Sequence, residues 1–286
     1  MSIEDWIRGR QSGRAGGVGA ARVIDVLTSQ PQFASYAPAR QVADEAGVDI
    51  STVTRTAQSL GFRGWPALQL EIRNRYLDTM TAQEILTDHA DGTTDPVTAA
   101  FRTDMANLAL ATRTIEIETV RRLADTIRRA RRTLVIASGS YLAPAIMLAH
   151  VGSLSGLDID YDDVGGTHRA TLVARMGPDD CLVIFNVWRL PRDVLAITRV
   201  ARDRGVVTAV ITDRRSSPLA ELGDHVVTVP SEGPAYFPSL TPAMSLINAI
   251  LNQIVADDPE RVRAAISAAG EMWQELDLMD DDLKRT

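Results

Sequence analysis

Residues 38–65, PARQVADEAGVDISTVTRTAQSLGFRGW, decide how the front of this chain folds. The spacing predicts a first helix over residues 39–46. One face of that helix collects small or branched apolar side chains, at Val42, Ala43 and Ala46. Gly47 ends the helix, because glycine adopts the left-handed backbone of a sharp turn without a Cβ penalty. Asp49 then caps a second helix, since its carboxylate accepts from free backbone N–H groups.

The second helix has two chemically different faces. Its inward face is apolar, at Val53, Ala57 and Leu60. Its polar face carries Ser51, Thr54, Arg55 and Gln58, with Thr52 beside them. Hydroxyls, an amide and a guanidinium are the groups that hydrogen-bond base edges and phosphates in a DNA major groove. The pattern is typical of a helix-turn-helix unit that contacts double-stranded operator DNA. The alternative is an ordinary helical hairpin with a solvated polar face.

The composition is that of a soluble globular chain long enough for two domains. It has 286 residues, of which 45% are hydrophobic and 23% charged. No apolar run approaches the roughly 20 residues of a transmembrane helix. The start, MSIEDWIRGR, lacks a signal-peptide apolar region. We therefore expect a cytoplasmic protein without membrane contact. A single cysteine, Cys181, excludes a disulfide within the chain, and the sequence indicates no metal site and no cofactor.

The net charge of −7 is distributed unevenly. Residues 1–80 hold nine Arg and eight acidic residues, a charge of +1, whereas the remainder holds 21 basic and 29 acidic residues, a charge of −8. Only the front segment avoids repelling a polyanion. Because the phosphate contacts dominate non-specific DNA affinity, a near-neutral domain benefits from doubling them. We therefore expect a homodimer or homotetramer, with long helices over residues 96–132 available to pair between subunits.

The chain divides into three parts. Residues 1–80 form a helical domain, with two helical pieces before Pro31, and residues 81–115 form a linker and connecting helix. In residues 116–286, strand-like runs alternate with helical segments. The runs cover residues 133–137, 158–161, 181–186, 206–212 and 225–229. Such alternation predicts a parallel sheet covered on both faces. The fold class is α + α/β, with an all-helical helix-turn-helix domain before a parallel-sheet domain.

Polar loops follow the predicted strands, and in open parallel sheets ligands bind beyond these carboxyl ends. The loops are Ser138-Gly139-Ser140, Gly165-Gly166-Thr167, Asn186-Val187-Trp188-Arg189 and Thr212-Asp213-Arg214. Their hydroxyls, glycines and arginines suit a small phosphorylated or otherwise acidic molecule. The alternative is that they are ordinary turn residues.

These features resemble a known family. The front segment is similar to the helix-turn-helix of RpiR/MurR-type bacterial transcriptional regulators, and the rear segment is similar to their sugar isomerase (SIS) domain. The resemblance covers most of the chain and rests on AGV-x-x-S-T-V-x-R, on LGF-x-G-W and on TDRRSSPLAELGDHVV. It implies an SIS fold, operator binding by dimers or tetramers, and a response to phosphosugars.

The chain departs from the family pattern at several positions. Thr56 replaces an apolar or aromatic residue, Ala137 replaces a glycine, and Tyr141 replaces a serine. The family's Ser-x-Ser-Gly-x-Thr phosphate loop is replaced by NVWRLP over residues 186–191. Pro191 removes one N–H donor from that loop. We therefore expect an anionic effector that is not held by the usual phosphate cradle.

In this hypothesis Arg189 neutralises the acid of the effector, Trp188 packs on its ring or apolar portion, and N–H groups near Ser140 hold a second polar end. The predicted effector site comprises Ser138, Gly139, Ser140, Asn186, Trp188, Arg189 and Thr212. The alternative is that the loop seals an empty or oligomer-facing cleft, with Trp188 packed as core.

The sequence supports competing functions. The DNA-reading helix favours a ligand-responsive regulator that is not an enzyme. A sugar-phosphate isomerase is the alternative, because the SIS fold also occurs in such enzymes and isomerisation needs a general base. The available bases are His150, His168, His225 and Glu232, none at an identifying spacing. A structural dimerisation module without a ligand is a third possibility. We assign no catalytic residue.

Overall fold

The computed structural model describes residues 3–11, 17–81, 83–85 and 95–279. Its N-terminal domain consists of α1 (Ile3–Gln11), α2 (Val18–Ser29), α3 (Pro31–Tyr36), α4 (Ala39–Glu45), α5 (Ile50–Ser59) and α6 (Trp65–Asp78). The sequence predicted two helical pieces before Pro31. Pro31 begins a third helix, because its fixed φ and missing N–H suit the first turn.

α4 and α5 form the predicted helix-turn-helix. Gly47 adopts the left-handed conformation, with φ of 61°. The Val48 N–H donates to the Ala43 carbonyl at 2.9 Å, which closes the turn. Asp49 caps α5 as expected, since its carboxylate accepts from the Ser51 N–H at 2.7 Å. The turn and the cap fix the direction of α5 relative to α4.

The apolar face of α5 lies in one core with the surrounding helices. The core includes the buried side chains of Trp6, Val23, Leu27, Val42, Val53, Ala57, Leu60, Trp65, Leu68 and Ile72. Trp6 packs edge-on against Phe62, with ring centroids 5.9 Å apart. Burial of these branched and aromatic side chains supplies the main stabilising free energy of the domain. The polar face of α5 is thereby turned outward.

Two helices connect the domains. They are α7 (Pro96–Thr114) and α8 (Ile117–Arg129), which agree with the one or two long helices expected over residues 96–132. Asp95 caps α7 by accepting from the Thr98 N–H at 2.8 Å. α8 buries Val120, Leu123 and Ile127 against the sheet, so it is part of the C-terminal layer structure.

The C-terminal domain contains a five-stranded sheet with the order β2-β1-β3-β4-β5, and every neighbouring pair is parallel. The elements in chain order are β1 (Thr133–Ile136), α9 (Leu142–Leu154), β2 (Ile159–Asp162), α10 (Gly166–Ala174), β3 (Cys181–Asn186), α11 (Arg192–Asp203), β4 (Val207–Thr212), β5 (His225–Thr228), α12 (Thr241–Asp257) and α13 (Pro259–Glu275). This architecture confirms the predicted fold class.

The sheet is buried on both faces. One face packs against α8, α9 and α12 around Val135, Val183 and Phe185. The other packs against α10 and α11 around Leu134 and Ile184. No helix within the described residues is both long and apolar enough to cross a bilayer. Because all five strands run in one direction, their carboxyl ends meet at one edge of the domain.

Candidate functional site

The predicted DNA-contacting residues lie along the outer side of α5. Ser51, Arg55 and Gln58 are exposed, and Thr52 and Thr54 are half-buried. The Arg55 guanidinium donates to the Thr52 hydroxyl at 3.1 Å. An exposed face of hydroxyl, amide and guanidinium groups is available to a groove of DNA.

The cap of α5 is charged and lies beside this face. Hydrogen bonds from Ser51 hold the pKa of the Asp49 carboxyl below its ordinary value, and Arg55 lowers it further. Thr56, where the family often has an apolar residue, is buried and donates its hydroxyl to the Thr52 carbonyl at 2.8 Å. Thr56 is therefore satisfied within the helix, and the departure from the family pattern leaves the outer face unchanged.

The loop after β1 presents free polar groups at the start of α9. Ser138 is half-buried, and Gly139 and Ser140 are exposed in a short 3-10 turn. Neither serine hydroxyl has a protein partner among the described residues. Unpaired hydroxyls beside the free N–H groups of a helix N-terminus are suited to an anion.

Tyr141, the departure from the family serine, is buried behind this loop. Its hydroxyl donates to the Ser239 carbonyl at 3.5 Å, a long hydrogen bond. Burial raises the pKa of Tyr141, and the nearby Asp213 carboxyl raises it further. The ring therefore occupies space between the loop after β1 and the loop after β5, and the phenol stays neutral.

The loop after β3 has an uncommon backbone. Trp188 has φ of 66°, a left-handed conformation that costs a non-glycine residue roughly 1–3 kcal/mol. Two contacts hold it there. The Trp188 N–H donates to the Asp213 carboxylate at 3.1 Å, and the Asn186 amide donates to the Arg189 carbonyl at 3.0 Å. Arg189 itself is exposed, with its guanidinium 5.2 Å from the Trp188 ring centre.

Two of the predicted effector residues use their polar atoms inside the protein. Asn186 is buried and shapes the loop. Thr212 is fully buried, and its hydroxyl donates to the Asp213 carboxylate at 3.3 Å. Both therefore position the backbone, whereas Ser138, Ser140 and Arg189 remain accessible. Burial raises the pKa of Asp213 to about 6, although Arg214 opposes the shift.

A second polar cluster at the same edge was missed from the sequence. The buried Asp162, at the end of β2, accepts from His168 Nδ1 at 2.9 Å and from Arg169 Nε at 2.6 Å. Burial alone raises the pKa of Asp162, but the hydrogen bonds from His168, Arg169 and Gly165 outweigh it and hold the pKa below its ordinary value. The carboxylate therefore orients the half-exposed imidazole.

Arg169 links the end of β2 to the loop after β1 and to the first turn of α11. Besides Asp162, it donates to the Ala137 carbonyl at 3.2 Å and to Asp193 at 3.1 Å. The sequence named His168 only as one of several possible bases. An aspartate at a strand end, six residues before the histidine, was the available signal, but their contact depends on the turn between them.

The N-terminal domain docks on this edge of the sheet through α6. The contact, which we call the seam, joins four residues of α6 to the loops after β4 and β5. Its members are Glu71, Arg73, Asn74 and Asp78 on α6, and Asp213, Arg214, Arg215 and Glu232 on the loops. The helical pattern of α6 predicted that it closes the small domain, but long-range polar pairing of this kind has no signature in one sequence.

The seam contains two ion pairs and two hydrogen bonds in which one partner is a backbone group. Arg73 pairs with Glu232, and Arg214 pairs with Asp78 at 2.8 Å. The remaining contacts are Asn74 Nδ2 to the Asp213 carbonyl and the Arg215 N–H to Glu71 at 2.8 Å. Most of these side chains are shielded from water, so the electrostatic attraction within each ion pair is stronger than in an exposed pair.

Two family models match the chain. A helix-turn-helix domain of the rpiR family matches residues 19–78, and an SIS domain matches residues 126–253. Fold and site together define a DNA-binding transcriptional regulator whose helix-turn-helix domain is joined to an SIS domain. The chain belongs to the RpiR-type family of these regulators.

Individual relatives agree with this assignment. The HTH-type transcriptional regulator YfhH of Escherichia coli (strain K12), itself uncharacterized, is 25% identical over 256 residues, which cover 85% of this chain and 90% of the relative. The sugar isomerase domain of an RpiR transcription factor from Sphaerobacter thermophilus is 27% identical, with a TM-score of 0.60, over 61% of this chain and 98% of that one.

A solved structure also shares the fold over both domains. The NanR protein of Vibrio vulnificus, complexed with ManNAc-6P, is 16% identical with a TM-score of 0.60. The similarity covers 96% of this chain and 99% of that one. At this identity the comparison shows a common fold.

Proposed function

We propose that this regulator senses a small anionic metabolite, similar to a sugar phosphate, at the carboxyl edge of its sheet. The observation that carries the proposal is a group of accessible anion-binding features in the loops that follow two neighbouring strands, β1 and β3. Ser138 and Ser140 offer free hydroxyls at the N-terminus of α9, and Arg189 offers an exposed guanidinium. NanR, which shares the fold, is bound to a phosphorylated sugar in its own structure.

Some residues of the site bind the ligand, and others hold the surrounding loops in place. The Ser138 and Ser140 hydroxyls and the nearby N–H groups bind the anionic end, as helix N-termini favour negative charge. Arg189 pairs with an acid of the ligand. Gly139, with φ of 59°, permits the turn between the serines. Asn186, Trp188 and Thr212 hold the loops in place around it.

DNA binding belongs to the outer face of α5. In this proposal Arg55 and Gln58 contact base edges, and Ser51, Thr52 and Thr54 contact phosphates or bases. The partner is double-stranded operator DNA, and each protomer reads one half-site.

The proposed assembly is a homodimer or homotetramer. Val97, Phe101 and Met105 lie at i, i+4 and i+8 of α7 and are 65%, 70% and 71% exposed. An exposed apolar stripe of this length on a monomer marks a surface that another protein covers. Pairing two stripes around a two-fold axis is the simplest arrangement that also presents two copies of α5 to paired half-sites.

The test uses the full-length protein and a DNA duplex that it selects from a random-sequence pool. Fluorescence anisotropy then gives the Kd for that duplex with and without each member of a panel of hexose 6-phosphates. The proposal predicts that a panel member which binds the protein by calorimetry changes the Kd. It is wrong if the protein selects no duplex at any salt concentration.

A second function is favoured by one specific observation, the Asp162–His168 pair. A buried carboxylate that orients a half-exposed imidazole is the arrangement of a general base, which aldose–ketose isomerisation needs. The test is an isomerase assay on the same hexose 6-phosphates, with His168→Ala as the comparison. Turnover that disappears in this variant supports an enzyme. Equal and negligible turnover in both proteins rejects it.

A further inference from the structure

Asp213 connects the carboxyl edge of the sheet, where we propose that the effector binds, to the DNA-binding domain. The Asp213 carboxylate accepts the Trp188 N–H at 3.1 Å, and the Asp213 carbonyl accepts from Asn74 of α6. Trp188 precedes the exposed Arg189 in the same loop. A movement of that loop therefore acts directly on a residue that holds α6.

The space between these elements is small. A cavity of about 40 Å³ lies between α6 and the loops after β3 and β5, with Asn74, Leu77, Trp188, Asp213 and Tyr236 in its wall. It is large enough for a few water molecules but not for a sugar ring. The Trp188 indole N–H is buried and has no hydrogen-bond partner in the part of the chain that the structure describes. A shift of the loop that contains Trp188 and Arg189 would therefore alter the contact between the Trp188 N–H and Asp213 at the seam.

Docking does not cover the DNA-contacting face. Ser51, Arg55 and Gln58 are exposed while α6 is held against the sheet. The seam thus leaves α5 accessible and fixes its direction. Inside the N-terminal domain, Glu71 also pairs with Arg75 at 3.1 Å, and Arg75 lies 4.3 Å from the ring centre of Trp6. The seam is therefore tied to the core that supports α5.

We propose that the seam regulates DNA binding by this protein. Docked α6 holds the DNA-binding domain in the orientation that binds operator, and a ligand that reorganises the Trp188 loop releases α6 through Asp213. This inference rests on the proposed function, because it assigns the route by which the effector edge controls DNA affinity. The chemistry that triggers release is the pairing of Arg189 with an anion.

The experiment weakens the seam with substitutions that lie outside both the outer face of α5 and the loop over residues 138–140. Glu232→Ala and Asp78→Ala each remove one partner of an ion pair, one from each side of the seam. The matched control is Glu118→Ala, which removes the exposed pair with Arg121 on α8. Two quantities are measured on the full-length proteins, namely the Kd for the selected duplex and amide hydrogen exchange by mass spectrometry.

The double variant Asp78→Ala/Glu232→Ala should exchange faster at the Arg215 N–H, which donates to Glu71 across the seam. It should bind the duplex on the order of tenfold more weakly, because only a fraction of the molecules holds α5 in the competent orientation. The control should match the wild type in both measurements. Faster exchange at Arg215 with an unchanged Kd would overturn the proposal, as would unchanged exchange.

A separate measurement tests whether the seam is coupled to the carboxyl edge of the sheet. If Asp213 transmits the movement, the double variant should also exchange faster at the Trp188 N–H, which lies in the loop after β3 and donates to Asp213. Exchange that rises at Arg215 and stays constant at Trp188 would remove Asp213 from the route. Failure of the proposed function looks different, because the wild type would then select no duplex while its seam remained protected.

Discussion

The side-chain amide of Asn74, in the DNA-binding domain, donates to the backbone carbonyl of Asp213, in the SIS domain, and both residues are buried. A hydrogen bond between two domains is therefore shielded from water. Loss of one partner leaves a buried polar group unsatisfied, which costs about 1–3 kcal/mol.

Replacing Asn74 should consequently destabilise the whole chain as well as its own domain. Asn74→Ala is expected to lower the free energy of unfolding by about 1–3 kcal/mol, measured by urea denaturation with circular dichroism. Gln41→Ala, at an exposed position of α4, is the control and should leave the unfolding curve unchanged. An unchanged midpoint for Asn74→Ala would show that the domains are not held together by this contact.

Arg55→Ala should weaken operator binding with little effect on folding, because the side chain is exposed on the outer face of α5. A lost bidentate base contact corresponds to about 1–3 kcal/mol in binding free energy. Anisotropy titration with the selected duplex measures it. Arg199→Ala, an exposed arginine of α11, is the matched control. Equal affinities for wild type and Arg55→Ala would remove Arg55 from the interface.

Asp213→Asn should change how stability depends on pH. The folded-state pKa of Asp213 is raised from 3.8 to about 6, mainly by burial and to a smaller extent by Glu71, while Arg214 opposes the shift. As pH rises through this window, the unfolded chain binds fewer protons than the folded chain, so the folded state loses stability. Asparagine has no such proton to lose.

The stability of Asp213→Asn relative to the wild type should therefore increase as pH rises from about 4 to about 7. Urea midpoints at several pH values test this difference. Tyr141 also faces Asp213 but stays neutral throughout, because burial raises its pKa. A constant difference across the range would show that the pKa of Asp213 is the same in the folded and the unfolded chain.

Phe101→Asp should weaken the oligomer. Phe101 is 70% exposed on α7, so a charge there leaves the protomer intact but opposes burial of the apolar stripe. Multi-angle light scattering should report a smaller mass for this variant than for the wild type at micromolar concentration. Val200→Asp, on the exposed surface of α11, is the control. A wild type that is already monomeric with and without DNA would contradict the proposed assembly.

The sequence predicted the local features of the fold well, because each depends on neighbouring residues. Gly47 and Asp49 act within one turn of the chain, and the alternation after Thr133 reflects strands that are buried on both faces. The polar face of α5 followed from helical spacing alone. The third helix at Pro31 was not predicted as a separate element, because a proline in a helical region can follow one helix or begin the next.

The site was harder to predict because its contacts join residues far apart in the chain. Thr212 looked like a strand-end hydroxyl for a ligand, but it is fully buried against Asp213. The pairing of His168 with Asp162 depends on the turn after β2, which places the two side chains side by side. The pairing of Asn74 with Asp213 spans two domains, and no periodicity or motif in a single sequence specifies such a pair.

In the proposed mechanism, an anion at the carboxyl edge of the sheet controls DNA affinity. The most direct test measures the Kd of the selected duplex, with and without a hexose 6-phosphate that binds the protein by calorimetry, for wild type and Arg189→Ala. We predict a Kd change on the order of tenfold or more for the wild type and none for Arg189→Ala, since typical couplings are of this size. A bound sugar phosphate that leaves the wild-type Kd unchanged would contradict this mechanism.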